Sequence, residues 1–403
     1  MKKEVYGMTK EGISFYEKLE ERGVSRRDFL KFCGSTATIL GLSSAMVPSI
    51  AAAVENAADS GLYPALWING GACTGCSESI AQATYPNVAE IVLDILSLPG
   101  METVAMATSE YAEEALEAQY EANKGKFILI CEGTVITGLD GNMLRVAGKP
   151  QIEHLKHFAQ GAAAIVAVGS CAVDGGWVRA YPNPASGTGV SQYLASQGIT
   201  TPVVNLPGCP VNPEEITAVV IDVLMLGGLE ALVPKLDKYG RPNYLYGQTI
   251  HDNCPRRGHF ENGEFVYEFG SEEEAKGYCL YPLGCKGPQS KRRCPITRWN
   301  NQTSWCVESG GPCIGCGSFN WVDENAPFRA RFRRVGEGVM GAEKGGVDPA
   351  KISAAVGAVA AVGLTAHGFG MKAAGRIGKN AHLETEEMKE WDAKRLKKQG
   401  GAK

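Results

Sequence analysis

The chain has 403 residues, with 40 Lys and Arg against 44 Asp and Glu, giving a formal charge of −4. That balance excludes the basic footprint of a nucleic-acid binder, and 44% hydrophobic with 21% charged residues fits two folded domains rather than a long disordered chain. Thirteen cysteines, an odd number spread along the chain, do not make the compact even framework of a disulfide-stapled domain and favour metal ligation.

In chain order, Ser25-Arg26-Arg27-Asp28-Phe29-Leu30-Lys31 comes first, then an apolar stretch from Phe32 to Ile50 and the small residues Ala51-Ala52-Ala53. Arginine pair, apolar run and A-x-A site in this order predict a twin-arginine export signal over residues 1–53, with Arg26 and Arg27 as its recognition pair and Cys33 inside it. The alternative is an amphipathic surface helix with an incidental arginine pair.

Residues 54–233 alternate short apolar runs with helical patterns, which predicts a doubly wound α/β domain. Strands are expected at Ala65 to Ile68, Ile91 to Leu96, Phe127 to Cys131, Ala163 to Val168 and Val203 to Leu206. Helices are expected at Ala112 to Asn123, Ile152 to Ala162 and Pro213 to Leu226, the last opened by a proline in its first turn. Ligands of such sheets gather at the carboxyl edge. There stand Cys73 and Cys76 in Cys-Thr-Gly-Cys, Cys171 in Gly-Ser-Cys-Ala and Cys209 in Pro-Gly-Cys-Pro. Four thiols match structural zinc or an iron–sulfur cluster, and the flanking Gly75, Gly169 and Gly208 favour the cluster, because they let backbone N–H groups approach sulfide.

From residue 234 to 335 the α/β rhythm ends, and seven cysteines lie between 254 and 316. A loop-rich segment of this size needs staples. One constellation is His251, Cys254, Cys279 and Cys285; the other is Cys294, Cys306, Cys313 and Cys316. Zinc knuckles or a partly disulfide-bonded loop domain match the spacing as well. After a linker at 336–351, residues 352–371 contain no Asp, Glu, Lys or Arg and reach the length of a membrane span. They are mostly Ala, Gly and Val, so a helix buried in a globular domain is the alternative. His367 lies in this stretch, and residues 372–403 form a mixed-charge tail predicted to stay on the cytoplasmic side. His154, His157 and His259 read as ordinary surface residues, and the run Arg329, Arg331, Arg333 and Arg334 with Phe328 and Phe332 as packing and surface charge.

These motifs together resemble the small, electron-transferring subunit of membrane-bound periplasmic nickel–iron hydrogenases. The resemblance rests on Trp67-Ile68 before Cys-Thr-Gly-Cys-Ser-Glu-Ser, Gly-Ser-Cys-Ala, Pro-Gly-Cys-Pro, the His-x-x-Cys at 251–254, Leu-Gly-Cys-Lys-Gly-Pro at 283–288 and Cys-Ile-Gly-Cys, in that order. It implies a flavodoxin-like domain with a proximal [4Fe–4S] cluster on Cys73, Cys76, Cys171 and Cys209. It further implies a loop-rich domain with a distal [4Fe–4S] cluster on His251, Cys254, Cys279 and Cys285, a medial cluster between the two, and a C-terminal transmembrane helix. No catalytic residue is expected on this chain. The nickel–iron centre that oxidises hydrogen to protons and electrons belongs to a large-subunit partner, in a heterodimer that can pair into a dimer of heterodimers. The acceptor implied is a membrane cytochrome b feeding quinone. Two other readings stand beside this one: a relay subunit of a related quinone-reducing respiratory complex, and an exported, zinc-stapled binding protein.

Two departures from the family pattern matter. Many relatives have Pro where Cys306 follows Trp305, which leaves a three-iron medial cluster; a thiolate here predicts a [4Fe–4S] medial cluster on Cys294, Cys306, Cys313 and Cys316, an uncoordinated buried thiol being the alternative. Gly75 and Gly176 stand where some air-tolerant relatives carry extra cysteines, which predicts an ordinary proximal cubane and sensitivity to oxygen.

Overall fold

The computed structural model describes residues 25–59, 63–84, 87, 96–98, 100, 101, 103, 105–108, 110–225, 232–324, 349–375, 389, 390 and 394. The chain divides into two compact units, Met1–Phe332 and Arg333–Lys403.

The first unit is built on five parallel strands: β1 (Tyr63–Asn69), β2 (Leu96–Ser97), β3 (Ile128–Glu132), β4 (Ala164–Val168) and β5 (Val203–Leu206), in the order β2-β1-β3-β4-β5. This is the order of a flavodoxin-like sheet. Trp67 pairs with Ile130, Ile130 with Val166 and Val166 with Val204, so one row of side chains crosses the sheet in register. The strands are apolar on both faces because both faces are covered, as parallel sheets require. Of the strand expected at 91–96, only Leu96 lies within the described residues, and it opens β2.

Alternation along the strands divides the core in two. Leu66, Ile68, Leu129, Ile165 and Ala167 pack with α4 (Glu110–Asn123) and α5 (Gln151–Gly161) through Leu116, Tyr120, Leu155 and Phe158. Ala65, Trp67, Ile128, Ile130 and Val166 pack instead with α3 (Gly75–Ala81) and α7 (Pro213–Met225). Cys131 is a core residue of the first of these faces. His154 is a correction to the sequence reading: it is buried on α5, 3.5 Å from Glu113, because its helical position faces α4 rather than water. His157 and His259 keep more exposure and pair with Glu117 at 3.0 Å and Glu264 at 2.6 Å.

Residues 25–53 of the segment read as an export signal are folded. Helices α1 (Arg26–Ile39) and α2 (Val47–Asp59) form a hairpin packed on α7, and Phe29, Phe32, Cys33 and Ile50 join the core of that sheet face. Ser25 caps α1 by accepting from the Asp28 amide at 3.2 Å, while Arg26 and Arg27 stay exposed at its start. An apolar run in water has to cover itself, and here it covers the outer stripe of α7. Burial pushes the Cys33 thiol up to about 12.

Residues 234–324 form short helices and turns around a small core of Ile250, Val266, Leu280, Trp305 and Val307. In the second unit, α8 (Pro349–Ala373) occupies the stretch where a membrane span was expected. Among the described residues no helix is long and apolar enough to cross a membrane. His367 is exposed on it. The Phe328–Arg334 run, the 336–348 part of the linker and most of the tail after Gly375 lie outside the described residues.

Candidate functional site

Three of the five parallel strands deliver thiols to one edge of the sheet. Cys73 and Cys76 follow β1, where Thr74 takes a left-handed φ of 61° to turn the chain into α3. Cys171 lies in α6 (Ser170–Asp174) after β4, and Cys209 follows β5. Glycine makes room for the sulfurs: a Cβ on Gly169, whose φ is +92°, would lie 2.7 Å from the Cys76 Sγ, and one on Gly75 3.1 Å from the Cys73 Sγ. On Gly176 it would lie 2.9 Å from the Cys171 Sγ. Glu132, at the end of β3, accepts from the backbone amides of Cys76 at 2.9 Å and Ser77 at 3.2 Å, tying the start of α3 to the sheet.

Burial dominates the electrostatics of Cys76, Cys171 and Cys209, and their neighbours add to it. The Cys76 thiol is held well above its ordinary range by burial, then by Glu132, Cys171 and Cys209. Cys171 is raised by burial and then, among its neighbours, by Cys73; Cys209 is pushed up to about 12 by burial, then by Cys316, Cys171 and Cys73. Thiols raised in this way would release their protons to solvent when a bound cation stabilises the thiolates.

The second set gathers around a short 3-10 turn, His251–Asn253, followed by Cys254. Burial raises Cys254 and takes Cys279 up to about 11, with Cys285 repelling both. Burial and the Arg257 charge hold His251 below the usual imidazole range, which favours the neutral form that ligates metal. A Cβ on Gly287 would come within 3.5 Å of the Cys285 Sγ.

In the third set, burial pushes Cys294 up to about 12, Arg292 opposing it and Glu215, Cys316 and Cys306 adding repulsion, and Cys306 is raised by burial and then by Cys316. Cys313 is held well up by burial, then by Cys285, Cys316 and Cys294. This set touches both others. Cys209 of the first and Cys316 of the third pack on Trp321 and Val322, and the Lys286 amide beside Cys285 donates to the Cys313 carbonyl at 2.7 Å. The Ser170 hydroxyl, next to Cys171, donates to the Cys316 carbonyl at 2.7 Å.

The residues fit iron–sulfur clusters better than single ions. Among the described residues no group of three or more His, Cys, Asp or Glu is placed to hold one metal ion. Several buried donors near the third set find no acceptor among the described residues, namely the Trp305 and Trp321 indole N–H groups, the Arg292 Nε and the Ser290 and Ser318 hydroxyls. Bridging sulfides are acceptors of the kind such donors serve.

Comparison with known proteins decides the family. Residues 246–329 match the family of the C-terminal part of the NiFe/NiFeSe hydrogenase small subunit, and residues 73–223 match the NADH ubiquinone oxidoreductase, 20 Kd subunit family. An uptake hydrogenase small subunit from Azotobacter vinelandii is 40% identical over 354 residues, covering 88% of this chain and 94% of the relative. The chain belongs to the nickel–iron hydrogenase small subunits. This small subunit is likewise 40% identical over 322 residues to periplasmic [NiFe] hydrogenase small subunit 1 of Nitratidesulfovibrio vulgaris, covering 80% of this chain and 98% of that one. It is 39% identical over 355 residues to the quinone-reactive Ni/Fe-hydrogenase small chain of Wolinella succinogenes, 87% of this chain and 96% of that one. Its fold is similar to that of the [NiFeSe] hydrogenase of Desulfovibrio vulgaris Hildenborough, with a TM-score of 0.62 and 36% identity over 66% of this chain and 96% of the other. It is therefore the iron–sulfur-containing, electron-transferring subunit of a hydrogenase, and its partner is a large subunit. The respiratory alternative shares the α/β half but not the match at 246–329.

Two features of this hydrogenase small subunit were not legible beforehand. Glu132 left one trace, as a carboxylate ending the apolar run Phe127 to Cys131. The buried pair of Arg292 and Glu215, 3.1 Å apart beside the third set, left none.

Proposed function

We propose that this hydrogenase small subunit relays electrons from the large subunit's nickel–iron site through three [4Fe–4S] clusters in a row. Cys73, Cys76, Cys171 and Cys209 hold the proximal one; Cys294, Cys306, Cys313 and Cys316 the medial one; His251, Cys254, Cys279 and Cys285 the distal one. The observation that carries this reading is the adjacency of the sets, Cys209 and Cys316 packed on the same Trp321 and Val322 on one side and the Lys286 amide, next to Cys285, bonded to the Cys313 carbonyl on the other. When bound, the clusters supply one-electron redox chemistry with little reorganisation. The chain's own residues do the rest. Burial excludes water from Cys76, Cys279, Cys294 and Cys313, while Cys73 and Cys306 stay exposed; glycine lets backbone approach sulfur, and a neutral His251 leaves the outermost site less negative, which eases release of an electron outward. Hydrogen is the electron source and a membrane cytochrome b feeding quinone the acceptor.

Residues 1–53 act as a twin-arginine signal, with exposed Arg26 and Arg27 supporting access to an export receptor. Residues 352–371 anchor the exported complex: Val359, Val362, Leu364 and Phe369 of α8 are each at least 70% exposed and need an apolar cover. The test is iron and acid-labile sulfide content of the purified heterodimer, expected at about twelve each for three cubanes. Values close to eight, or zinc in place of iron, would overturn the assignment.

A further inference from the structure

Arg292 is 1% exposed, and so is Glu215, whose Oε2 lies 3.1 Å from the guanidinium Nη2. The other terminal nitrogen, Nη1, faces a sulfur: it stands 3.3 Å from the Cys316 Sγ and 3.4 Å from the Pro210 carbonyl oxygen. Trp299 covers the guanidinium plane, with its ring centroid 5.8 Å from Cζ. Two glycines are shaped by this side chain. A Cβ on Gly208 would meet Nη1 at 2.8 Å, and one on Gly317 would meet the Arg292 Cγ at 2.5 Å. The guanidinium therefore wedges between the loop carrying Cys209 and the loop carrying Cys316, where the first and third thiol sets approach.

Its influence on the two sets is unequal. Arg292 acts electrostatically on Cys294 and Cys306 and donates to Cys316, which makes three of the four thiols of the third set. Toward the first set it offers only the contact with the Pro210 carbonyl. The opposite end of the ion pair, the Glu215 carboxylate, also accepts from the Thr297 hydroxyl at 3.5 Å, and its charge repels Cys294, the reverse of what the guanidinium does. An oriented pair with its cationic end on one sulfur stabilises added negative charge there. Cys306 adds one negative thiolate to that same set, and Arg292 is the buried cation that offsets it.

We propose that Arg292, oriented by Glu215, is the positioning residue that raises the reduction potential of the medial centre relative to the proximal one. This rests on the cluster assignment above. A medial centre with four thiolates and no nearby cation would hold an electron less readily than its neighbours and interrupt the relay; the guanidinium restores its readiness to accept.

The experiment is a redox titration of the purified heterodimer, following each cluster by electron paramagnetic resonance, with iron content measured in parallel. Glu215→Gln leaves the guanidinium charge unneutralised and is expected to move the medial midpoint potential up. Arg292→Met combined with Glu215→Gln removes both ends of the pair and is expected to move it down, with the distal potential unmoved. Arg292→Lys keeps the charge without the fork and should fall between. Shifts in the same direction for Glu215→Gln and the double variant, or no shift in protein with full iron, would overturn the proposal while leaving the cluster assignment standing. If the unaltered protein shows fewer than three cubanes but the middle centre still moves in opposite directions, the tuning stands and the assignment of cluster type falls. Should the double variant lose its iron, Glu215→Gln and Arg292→Lys decide alone: an upward shift in the first and little in the second supports the proposal, and no shift in the first refutes it.

Discussion

Gly169→Ala tests whether the first thiol set is shaped by glycine. The residue has φ +92° and ψ 152°, a region that side chains avoid, so an alanine there carries backbone strain of ~1–3 kcal/mol. Its Cβ would also lie 2.7 Å from the Cys76 Sγ, a buried atom with little room to retreat, which adds ~1–3 kcal/mol of overpacking. Gly125 supplies the control. It has φ +77° with nothing within 4 Å of a built Cβ, so Gly125→Ala should cost only the backbone part, ~1–2 kcal/mol. With the two backbone parts taken as roughly equal, the excess at Gly169, ~1–3 kcal/mol or a factor of about 5 to 150, belongs to the sulfur contact. In the purified heterodimer it should appear as a lower thermal midpoint than that of Gly125→Ala and as iron lost selectively from the cluster nearest the large subunit. If Gly169→Ala keeps its full iron and melts with the Gly125→Ala protein, the reasoning from sulfur geometry fails.

Three further outcomes follow from other parts of the molecule. Cys306→Pro should convert the medial centre to a three-iron cluster, read as a new paramagnetic signal in mildly oxidised enzyme; a signal of that kind already present at full intensity in the unaltered protein would refute Cys306 as a ligand. Burial, with Glu215 adding repulsion, raises the Glu214 carboxyl to about 7, so the folded state binds the extra proton and stability falls as pH rises from the ordinary carboxylate range through about 7. Glu214→Gln should therefore stabilise the protein above pH 7 by up to ~3 kcal/mol and leave it unchanged near pH 4, and equal melting shifts at both pH values would contradict this. Removing residues 1–53 strips Phe29, Phe32 and Ile50 from α7, and the shortened chain without its large subunit should bind an apolar dye more strongly and melt lower than the full-length chain. Identical dye binding in the two forms would mean that the hairpin does not cover that face.

Local pattern determined a good deal. Strands at Ala65 to Ile68, Phe127 to Cys131, Ala163 to Val168 and Val203 to Leu206 were legible because a parallel strand buried on both faces is a continuous apolar run, and all fall within a residue or two of the observed bounds. The proximal thiols were legible for a related reason: parallel strands all end at the same edge, so a cysteine just after each of three strands must arrive with the others whatever the strand order. Glycines beside them marked where backbone had to come close.

What lay beyond sequence is whatever depends on two distant segments meeting. Arg292 and Glu215 are 77 positions apart, and no spacing rule joins them; they meet because α7 and the cysteine-rich loops pack on the same end of the sheet. His154 reads as polar and therefore exposed, yet its helix face is set by α4, which supplies Glu113 as a partner. The apolar run at 32–50 reads as an export signal by pattern, and only the tertiary structure reveals that it packs against α7. Sequence periodicity reports which side of an element avoids water; which neighbour keeps the water away is decided by packing, where burial and charge are shared between residues that have no local relation.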